Sequence, residues 1–389
     1  MSTVLDADLH LHSRHAIGVS RYMDIPTLAH HAAEKGLTLM GTGDAQHPGW
    51  IAHLREHLIE EEDGLYRAAN GTLFVAQTEL EDKDMVHHLV ILPSLDAAED
   101  LGERIAATGA NVTSNARPHL RMDGAGIAEI VRDVGGIIGP AHAFTPHRSL
   151  LREGAFTSVE ACYRDRVADV RFLELGLSAD TDMADTISSL HQLTFLSCSD
   201  AHGPQPHRIG REFVRLRMDE LSFPALRHAI ERSDVELNVG LDPRLGKYHL
   251  SSCNSCDRLF APSAIPDDRR CSCGGAVRFG VSERVARLAD LPEGRHPTGR
   301  PPYLRIMPLA ELIAFSLGVK GVTSKRVVRV WRQLVAAGES EIAVLVDLSV
   351  EDIARVAGEK VALWVLAFRK GALTVLPGGG GRYGTFELG

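Results

Sequence analysis

Long apolar runs are missing from this sequence. None reaches the roughly 18–20 residues of a membrane-spanning helix, so no membrane partner is expected. Cysteine is scarce, with six residues in 389, and four of the six are spaced as metal ligands rather than as a disulfide framework. The first twelve residues carry Asp6, Asp8 and His10, where a signal peptide would be apolar; together these features point to the reducing cytoplasm. An excess of positive charge is also missing. The net charge is −9, which taken alone argues against nucleic-acid binding. No internal repeat and no long low-complexity stretch occurs. With 44% apolar, 24% charged and 5% aromatic residues, the composition excludes disorder, collagen and coiled coil as overall classes.

What is present is unevenly distributed. Residues 1–240 hold 36 acids and 21 bases; residues 241–389 hold 15 acids and 21 bases. The second part is therefore basic and able to attract phosphate backbones within an acidic chain, or simply to form a solvated surface. Histidine divides the same way: 17 of 19 precede residue 241. A histidine-rich segment with several imidazoles beside Asp is a metal-site candidate.

Along residues 1–240 short apolar strands alternate with helices. TVLDADLHL reads as a strand, DIPTLAHHAAEKG as a helix started by Pro26 and stopped at Gly36, and LTLMGTGD as a second strand. TLFVAQTELE, MVHHLVILPS, GGIIGPAH, VRFLELGLS and LTFLSCSDAH continue the alternation, with AGIAEIVRDV helical between. This pattern predicts parallel βα units in a sheet or barrel. His10, His12, Asp44, Glu79, His87, His142, Asp200 and His202 fall at the ends of these apolar runs, where a βα barrel gathers catalytic groups. Beyond 241 a cysteine-bearing module is followed by the helical segments TSKRVVRVWRQLVAAG and SVEDIARVAGEKVALWVLAFRKG, with Ser324 and Ser349 as N-caps and Trp331 and Trp364 as core residues. The glycine run in LTVLPGGGGRYGTFEL predicts a hairpin.

Two constellations carry chemistry. In Asp8-Leu9-His10-Leu11-His12-Ser13, residues two apart on a strand share a face, so His10 and His12 can meet one ion, with Asp8 as a partner for a ring N–H. Two imidazoles with carboxylates suit Zn²⁺, Mn²⁺ or Fe²⁺. Asp44 and His47 in GTGDAQHP, His142 in GPAHAF, and Asp200 with His202 in CSDAHGP extend the set. Cys253-x-x-Cys256, then Cys271-x-Cys273 with two glycines behind it, suits one tetrahedral structural Zn²⁺. Cys162 and Cys198 read as buried thiols.

The DxHxH opening, the Gly-Thr-Gly-Asp turn, the mid-chain Glu and the closing Ser-Asp-Ala-His resemble the PHP (polymerase and histidinol phosphatase) phosphoesterases. The resemblance implies a distorted βα barrel with two or three divalent ions (Zn, Mn or Mg). It assigns His10, His12, Glu79 and Asp200 to one ion, and Glu79, His87 and His142 to a second. His202 with Asp44 or His47 would hold a third; Ala45 stands where the family has His, so His15 is a further alternative. His87 is preferred over His88 on the pattern VHHLVIL. Glu79, Asp200 and His202 are the implied catalytic set.

The order of this site, the cysteine module, GVSERVARLAD, RPPYLRIMPLAELIA and the terminal LPGGGGRYGTFEL resembles endonuclease Q over almost the whole chain. HPGW, PAHAFTP, ELGLSAD, SDAHGP and IGRE are the most specific matches; NARPHL and His147 depart from the family pattern. The resemblance implies an α/β PHP-type catalytic barrel at 1–240, a four-cysteine zinc module at 241–300, and a small mainly helical, DNA-contacting domain with a C-terminal hairpin at 301–389. It implies hydrolysis of DNA on the 5′ side of deaminated bases (uracil, hypoxanthine, xanthine) or abasic sites, after the lesion is flipped out. Glu174 and Ser178 would belong to the lesion pocket, Arg208 and Arg211 would steady the phosphate, and Lys325, Arg326 and Arg329, sharing a helix surface with Arg332, would grip the backbone. The competing expectation is a phosphatase for a small phosphate monoester, which leaves the cysteine module and the basic segment without a role. The sequence names no repair or processivity protein partner.

Overall fold

The computed structural model describes residues 2–61 and 63–388. Its first sheet has eight strands in the order Tyr303–Arg305, Val235–Gly240, Phe213–Met218, Thr3–Asp8, Leu39–Gly41, Leu73–Val75, Leu65–Arg67 and Ile59–Glu60. The central strands Thr3–Asp8, Leu39–Gly41 and Leu73–Val75 run parallel, as the βα alternation predicts. The strand Phe213–Met218 runs antiparallel to Thr3–Asp8, so the sheet is mixed. A three-stranded sheet (Gln77–Glu81, His87–Ile91, Ile137–Pro140) and a parallel pair (Phe172–Glu174, Thr194–Leu196) carry the wall onward. Isolated bridges from Ile138 to Val170 and from Leu11 to Ala201 link these sheets into a distorted barrel.

The helix stops act as read from the sequence. Asp24 accepts the Thr27 N–H (3.0 Å), Pro26 follows, and Gly36 ends the helix Ile25–Lys35 in the left-handed region at φ 97°. Two expected elements are split. TLFVAQTELE forms two strands in different sheets, because the chain turns a barrel corner at Ala76. The segment 350–369 forms two helices, Val350–Ala357 and Glu359–Arg369, broken at Gly358 with φ 87°. The terminal hairpin forms as expected, Leu373–Leu376 pairing with Thr385–Leu388.

The barrel strands bury Leu5, Ala7, Leu39, Leu89, Leu196 and Val214 in one cluster. A second, larger cluster runs from Leu28 and Trp50 under the barrel helices to Trp331, Trp364 and Val365 in the C-terminal helices. The C-terminal helices thus share a core with the barrel. Tyr303–Arg305 also completes the first sheet, so the boundary placed at 301 passes just ahead of a strand of the barrel sheet. Among the described residues no helix is long and apolar enough to cross a membrane.

Candidate metal centre

Strand ends deliver the ligand-type side chains. The Leu11–Ala201 bridge lays the His10–His12 segment beside Asp200–His202. Three of these positions are held in the left-handed region without being glycine: Asp44 (φ 46°), His142 (φ 31°) and Asp200 (φ 47°). Such conformations cost about 1–3 kcal/mol each and persist where the surrounding structure enforces them, typically at functional sites.

Glu79 is the hub. It is fully buried and lies 2.8 Å from His87 Nδ1, 2.9 Å from His142 Nε2, 3.5 Å from His12 Nε2 and 3.7 Å from His10 Nε2. Asp200 Oδ1 lies 3.1 Å from His12 Nε2, 3.9 Å from His10 Nε2 and 3.6 Å from His202 Nδ1. Ligand-type atoms of His10, His12 and Glu79 all fall within 4.8 Å of one another, as do those of His12, Asp200 and His202.

The outer nitrogens of these rings are held by acceptors. His10 Nδ1 meets Glu174 (2.9 Å), His12 Nδ1 meets Asp44 (3.2 Å), and His87 Nε2 meets Glu81 (3.0 Å). His142 Nδ1 meets the Thr145 hydroxyl (3.1 Å), which donates its own proton to backbone carbonyls, and His202 Nδ1 donates to the Asp200 carbonyl (2.9 Å). In the neutral ring a proton on the outer nitrogen leaves a lone pair on the other. The inner Nε2 atoms of His10 and His12, and Asp200 Oδ1, are buried and make no hydrogen bond among the described residues. Buried polar atoms are costly without a partner. The donor set therefore fits divalent cations: imidazole lone pairs and carboxylate oxygens converging, with their outer sides already satisfied.

The electrostatics agree. Burial opposes charge on His10, yet Glu174, Glu79 and Asp200 hold its pKa up at about 9. Burial likewise opposes ionisation of Glu79, but His87, His142 and His10 hold its carboxyl well below the usual range. The concentrated negative charge calls for positive charge in its midst.

Several expected residues sit elsewhere. Asp8 does not touch an imidazole; its oxygens accept the backbone N–H groups of Ser199 (3.0 Å) and Gly210 (2.8 Å). Glu174 is fully buried against His10 and the His142 N–H (2.8 Å), which removes it from any open lesion pocket. Asp44 spends one oxygen on His12 and the other on Ser13 N–H and hydroxyl (2.6 and 2.7 Å), so it orients rather than faces the cluster. His47 stacks on His15 with ring centroids 4.4 Å apart. His88 points away from the cluster to Tyr163 (2.6 Å) and Asp82 (3.2 Å), as the alternation of a strand requires once His87 faces Glu79. Sequence reasoning missed Glu81, which also binds His119 and Arg148, and Arg117, whose guanidinium reaches Glu79 (3.2 Å).

Asp200, His202, Arg208 and Arg211 line an open cleft of about 500 Å³. Ser178 and Arg211 line a neighbouring cavity. Lys325, Arg326, Arg329 and Arg332 are all exposed on the helix Lys325–Gly338.

The four cysteines converge separately. Cys253 and Cys273 sulfurs lie 3.5 Å apart and those of Cys256 and Cys271 3.7 Å apart, all as free thiols. A tetrahedron with Zn–S bonds of about 2.3 Å has edges of about 3.8 Å. The small core around them contains only Phe260 and Val277 beside the buried cysteines, with Ile265 packed on it, too little to fold by itself. Cys253→Ser is expected to lose one tightly bound ion and to lower the melting temperature by roughly 5 °C or more. Elemental analysis and thermal melts check this; an unchanged metal content with normal melting would count against a structural zinc.

The chain was compared with known proteins. The family model described as the MJ0043 C-terminal domain matches residues 308–372. Uncharacterized protein MJ0043 of Methanocaldococcus jannaschii is 41% identical over 260 residues, which are 65% of this chain and 32% of that one, so the match spans about a third of that relative. Uncharacterized protein YqxK of Bacillus subtilis is 33% identical along 98% of both chains. The crystal structure of the lesion-specific endonuclease PfuEndoQ from Pyrococcus furiosus superposes with a TM-score of 0.93 at 43% identity, over 99% of this chain and 96% of that one. An endonuclease Q bound to a 27-mer duplex substrate with an abasic lesion at its active site gives 0.89 at 42% identity, over 100% and 97%.

Proposed function

This chain belongs to the endonuclease Q family, and on that premise we propose that it is a metal-dependent endonuclease that cuts DNA 5′ to a deaminated base (uracil, hypoxanthine or xanthine) or an abasic site, after turning the lesion out of the stack. The observation that carries the reading is the meeting of two features at Asp200. On one side stand the Nε2 atoms of His10 and His12 beside Glu79, with no hydrogen-bond partner among the described residues; on the other is an open cleft walled by Arg208 and Arg211.

His10, His12, Glu79, Asp200, His87, His142 and His202 would hold two or three divalent ions, and the four cysteines a structural zinc. Bound there, divalent ions lower the pKa of water toward about 7 and neutralise phosphoryl oxygens as charge develops. The protein's own groups do the rest. Glu174, Asp44 and Glu81 fix the ring tautomers of His10, His12 and His87. Arg211 is fixed at the cleft wall by donating its Nε–H to the Ser199 carbonyl (2.9 Å), and Arg208 stands beside it; their charge draws a phosphate toward Asp200. Hydrolysis adds water across the P–O3′ bond and leaves 3′-hydroxyl and 5′-phosphate ends. A damaged or mispaired base costs less to extrude than a paired one, which contributes selectivity before any contact to the base. The exposed Lys325, Arg326 and Arg329 supply backbone contacts whose strength falls with salt.

The test is a panel of end-labelled duplexes carrying one uracil, hypoxanthine, xanthine, abasic site or no lesion, run beside a phosphomonoester with metal-depleted and with Mg²⁺-, Mn²⁺- or Zn²⁺-restored protein. Nicking on the 5′ side of the lesion is expected, only with metal. Release of inorganic phosphate without nicking would replace this reading with a small-molecule phosphatase.

A further inference from the structure

The helix Ile25–Lys35 carries a group of ligand-type side chains that the centre around Glu79 does not use. One donor atom each of His30, His31 and Glu34 lies within 4.8 Å of the other two. Helical spacing brings them together, since Glu34 stands one turn beyond both rings, at i+4 and i+3. Its carboxylate is 2.9 Å from His31 Nδ1 and 3.9 Å from His30 Nε2, and the two ring centroids are 5.1 Å apart. Bonds of about 2.0–2.2 Å to one ion set neighbouring donors about 3–3.5 Å apart, so small side-chain rotations complete the set. Among the described residues Glu34 is the only hydrogen-bond or ion-pair partner of either ring. His53, Glu56 and His57 form a similar group on the helix Pro48–His57. There His53 Nε2 accepts the Ile25 N–H (3.2 Å) and Nδ1 faces the Arg14 guanidinium (3.4 Å), so that ring has no lone pair to give.

The first group also lines a pocket of about 280 Å³ shared by its helix, the loop after His202 and the helix Lys325–Gly338. The loop brings His207 to this pocket, a third imidazole from a distant part of the chain. It is already held against the helix. Lys35 Nζ donates to the Pro206 carbonyl (2.9 Å), so the sequence neighbours of Glu34 and of His207 are tied together. Gln205, from the same loop, lines both this pocket and the cleft at Asp200 and His202.

The donors select the kind of ion. Arg332 lines the pocket too, and its positive charge opposes ions held mainly by charge. Mg²⁺ and Ca²⁺ are such ions, and they take oxygen ligands. Imidazole nitrogens hold transition ions through coordinate bonds, with affinity rising from Co²⁺ through Ni²⁺ to Cu²⁺.

We infer that His30, His31 and Glu34, joined by His207, form a further site for a divalent transition ion, separate from the hydrolytic centre and from the cysteine module. An ion there clasps the loop between His202 and Arg208 to the helix Ile25–Lys35 and so steadies one wall of the cleft. The inference does not depend on which substrate the cleft takes.

The test uses Ni²⁺ as the probe and the full-length protein with its barrel and cysteine sites intact. Those sites are common to all the variants and cancel in the comparison. Wild type, His30→Gln with His31→Gln, and His207→Gln are dialysed against Ni²⁺, counted for bound metal and melted with and without the ion. Wild type is expected to hold one Ni²⁺ per chain more than the double variant, and to gain about 3 °C or more beyond it in melting temperature at saturating Ni²⁺. His207→Gln should weaken this ion by about tenfold or more, at least the cost of losing an outer partner. Mg²⁺ in place of Ni²⁺ should produce no difference between the proteins. Equal Ni²⁺ counts and equal melting shifts in wild type and the double variant, with matching circular dichroism spectra, would overturn the site. Wild-type Ni²⁺ affinity in His207→Gln would overturn the clasp to the loop, and a difference of the same size with Mg²⁺ would overturn the assignment to transition ions.

Discussion

Glu79→Gln is expected to lower strand cleavage by well over a hundredfold while leaving the circular dichroism spectrum unchanged. The carboxylate is fully buried and lies within 3.7 Å of four imidazoles, with Arg117 at 3.2 Å from its second oxygen. The amide keeps the shape but removes the charge and turns an N–H₂ group toward ring nitrogens or a guanidinium, so one end of the side chain faces the wrong partner whichever way it flips. Glu174→Ala provides the internal comparison. Glu174 acts through His10, whose Nδ1 it holds at 2.9 Å, and loss of such an outer partner costs about 10–100-fold in metal affinity or activity. The expected order is therefore wild type, then Glu174→Ala, then Glu79→Gln, and excess metal should restore part of the activity of Glu174→Ala and none of that of Glu79→Gln. Single-turnover nicking across a metal titration measures this. Near-normal cleavage by Glu79→Gln would remove the carboxylate from the centre of the mechanism.

The contrast between those two residues marks how far the site could be read from the chain. His10, His12, Asp200 and His202 were legible because two-residue spacing at the end of an apolar run fixes which side chains share a face. Glu174 stands at the end of its own strand, where the sequence suggests the loop of a pocket, and only the lateral neighbourhood of the barrel walls brings it under His10. Asp8 failed for the complementary reason. It stands two residues before His10, but its oxygens are taken by the N–H groups of Ser199 and Gly210, nearly two hundred residues away. The pattern VHHLVIL favours His87 over His88, and register gives the physical reason, since Glu81 lies opposite His87 and Glu79 opposite Leu89 on the paired strand. Helix ends needed no such long-range knowledge, because Asp24, Ser324 and Ser349 cap through groups three residues away. The break at Gly358 has a local signal, a glycine within a helical pattern, but the apolar periodicity on both sides masks it. The strand Tyr303–Arg305 was not available at all: it adds to the barrel beside Val235–Gly240 after an excursion of some sixty residues.

That same excursion raises the question of what holds the C-terminal helices to the barrel, and Glu341→Ala is expected to answer it with a loss of about 3–5 kcal/mol, the usual cost of stranding one partner of a buried ion pair. Glu341 and Lys35 are 0% and 1% exposed, and their charged ends lie 2.8 Å apart. Glu341 also accepts the Leu309 N–H (3.0 Å) and the Trp331 indole N–H (2.7 Å), while Lys35 donates to the Pro206 carbonyl (2.9 Å). One carboxylate thus fastens two C-terminal helices to the last turn of Ile25–Lys35, and through Pro206 to the loop between Asp200 and Arg211. Packing there is close: a Cβ at Gly36 would lie 2.5 Å from the Ser340 hydroxyl. The pair itself need not add net stability, because two charges lose hydration on burial. Lys35→Met with Glu341→Met is accordingly expected to unfold at a higher denaturant concentration than Glu341→Ala alone, although the Leu309 and Trp331 N–H groups remain unpaired. Urea unfolding of Lys35→Met, Glu341→Met and the double gives the coupling directly. If Glu341→Ala lies within about 0.5 kcal/mol of wild type, as an ordinary surface substitution would, the clasp carries no weight and the shared apolar core alone joins the two parts.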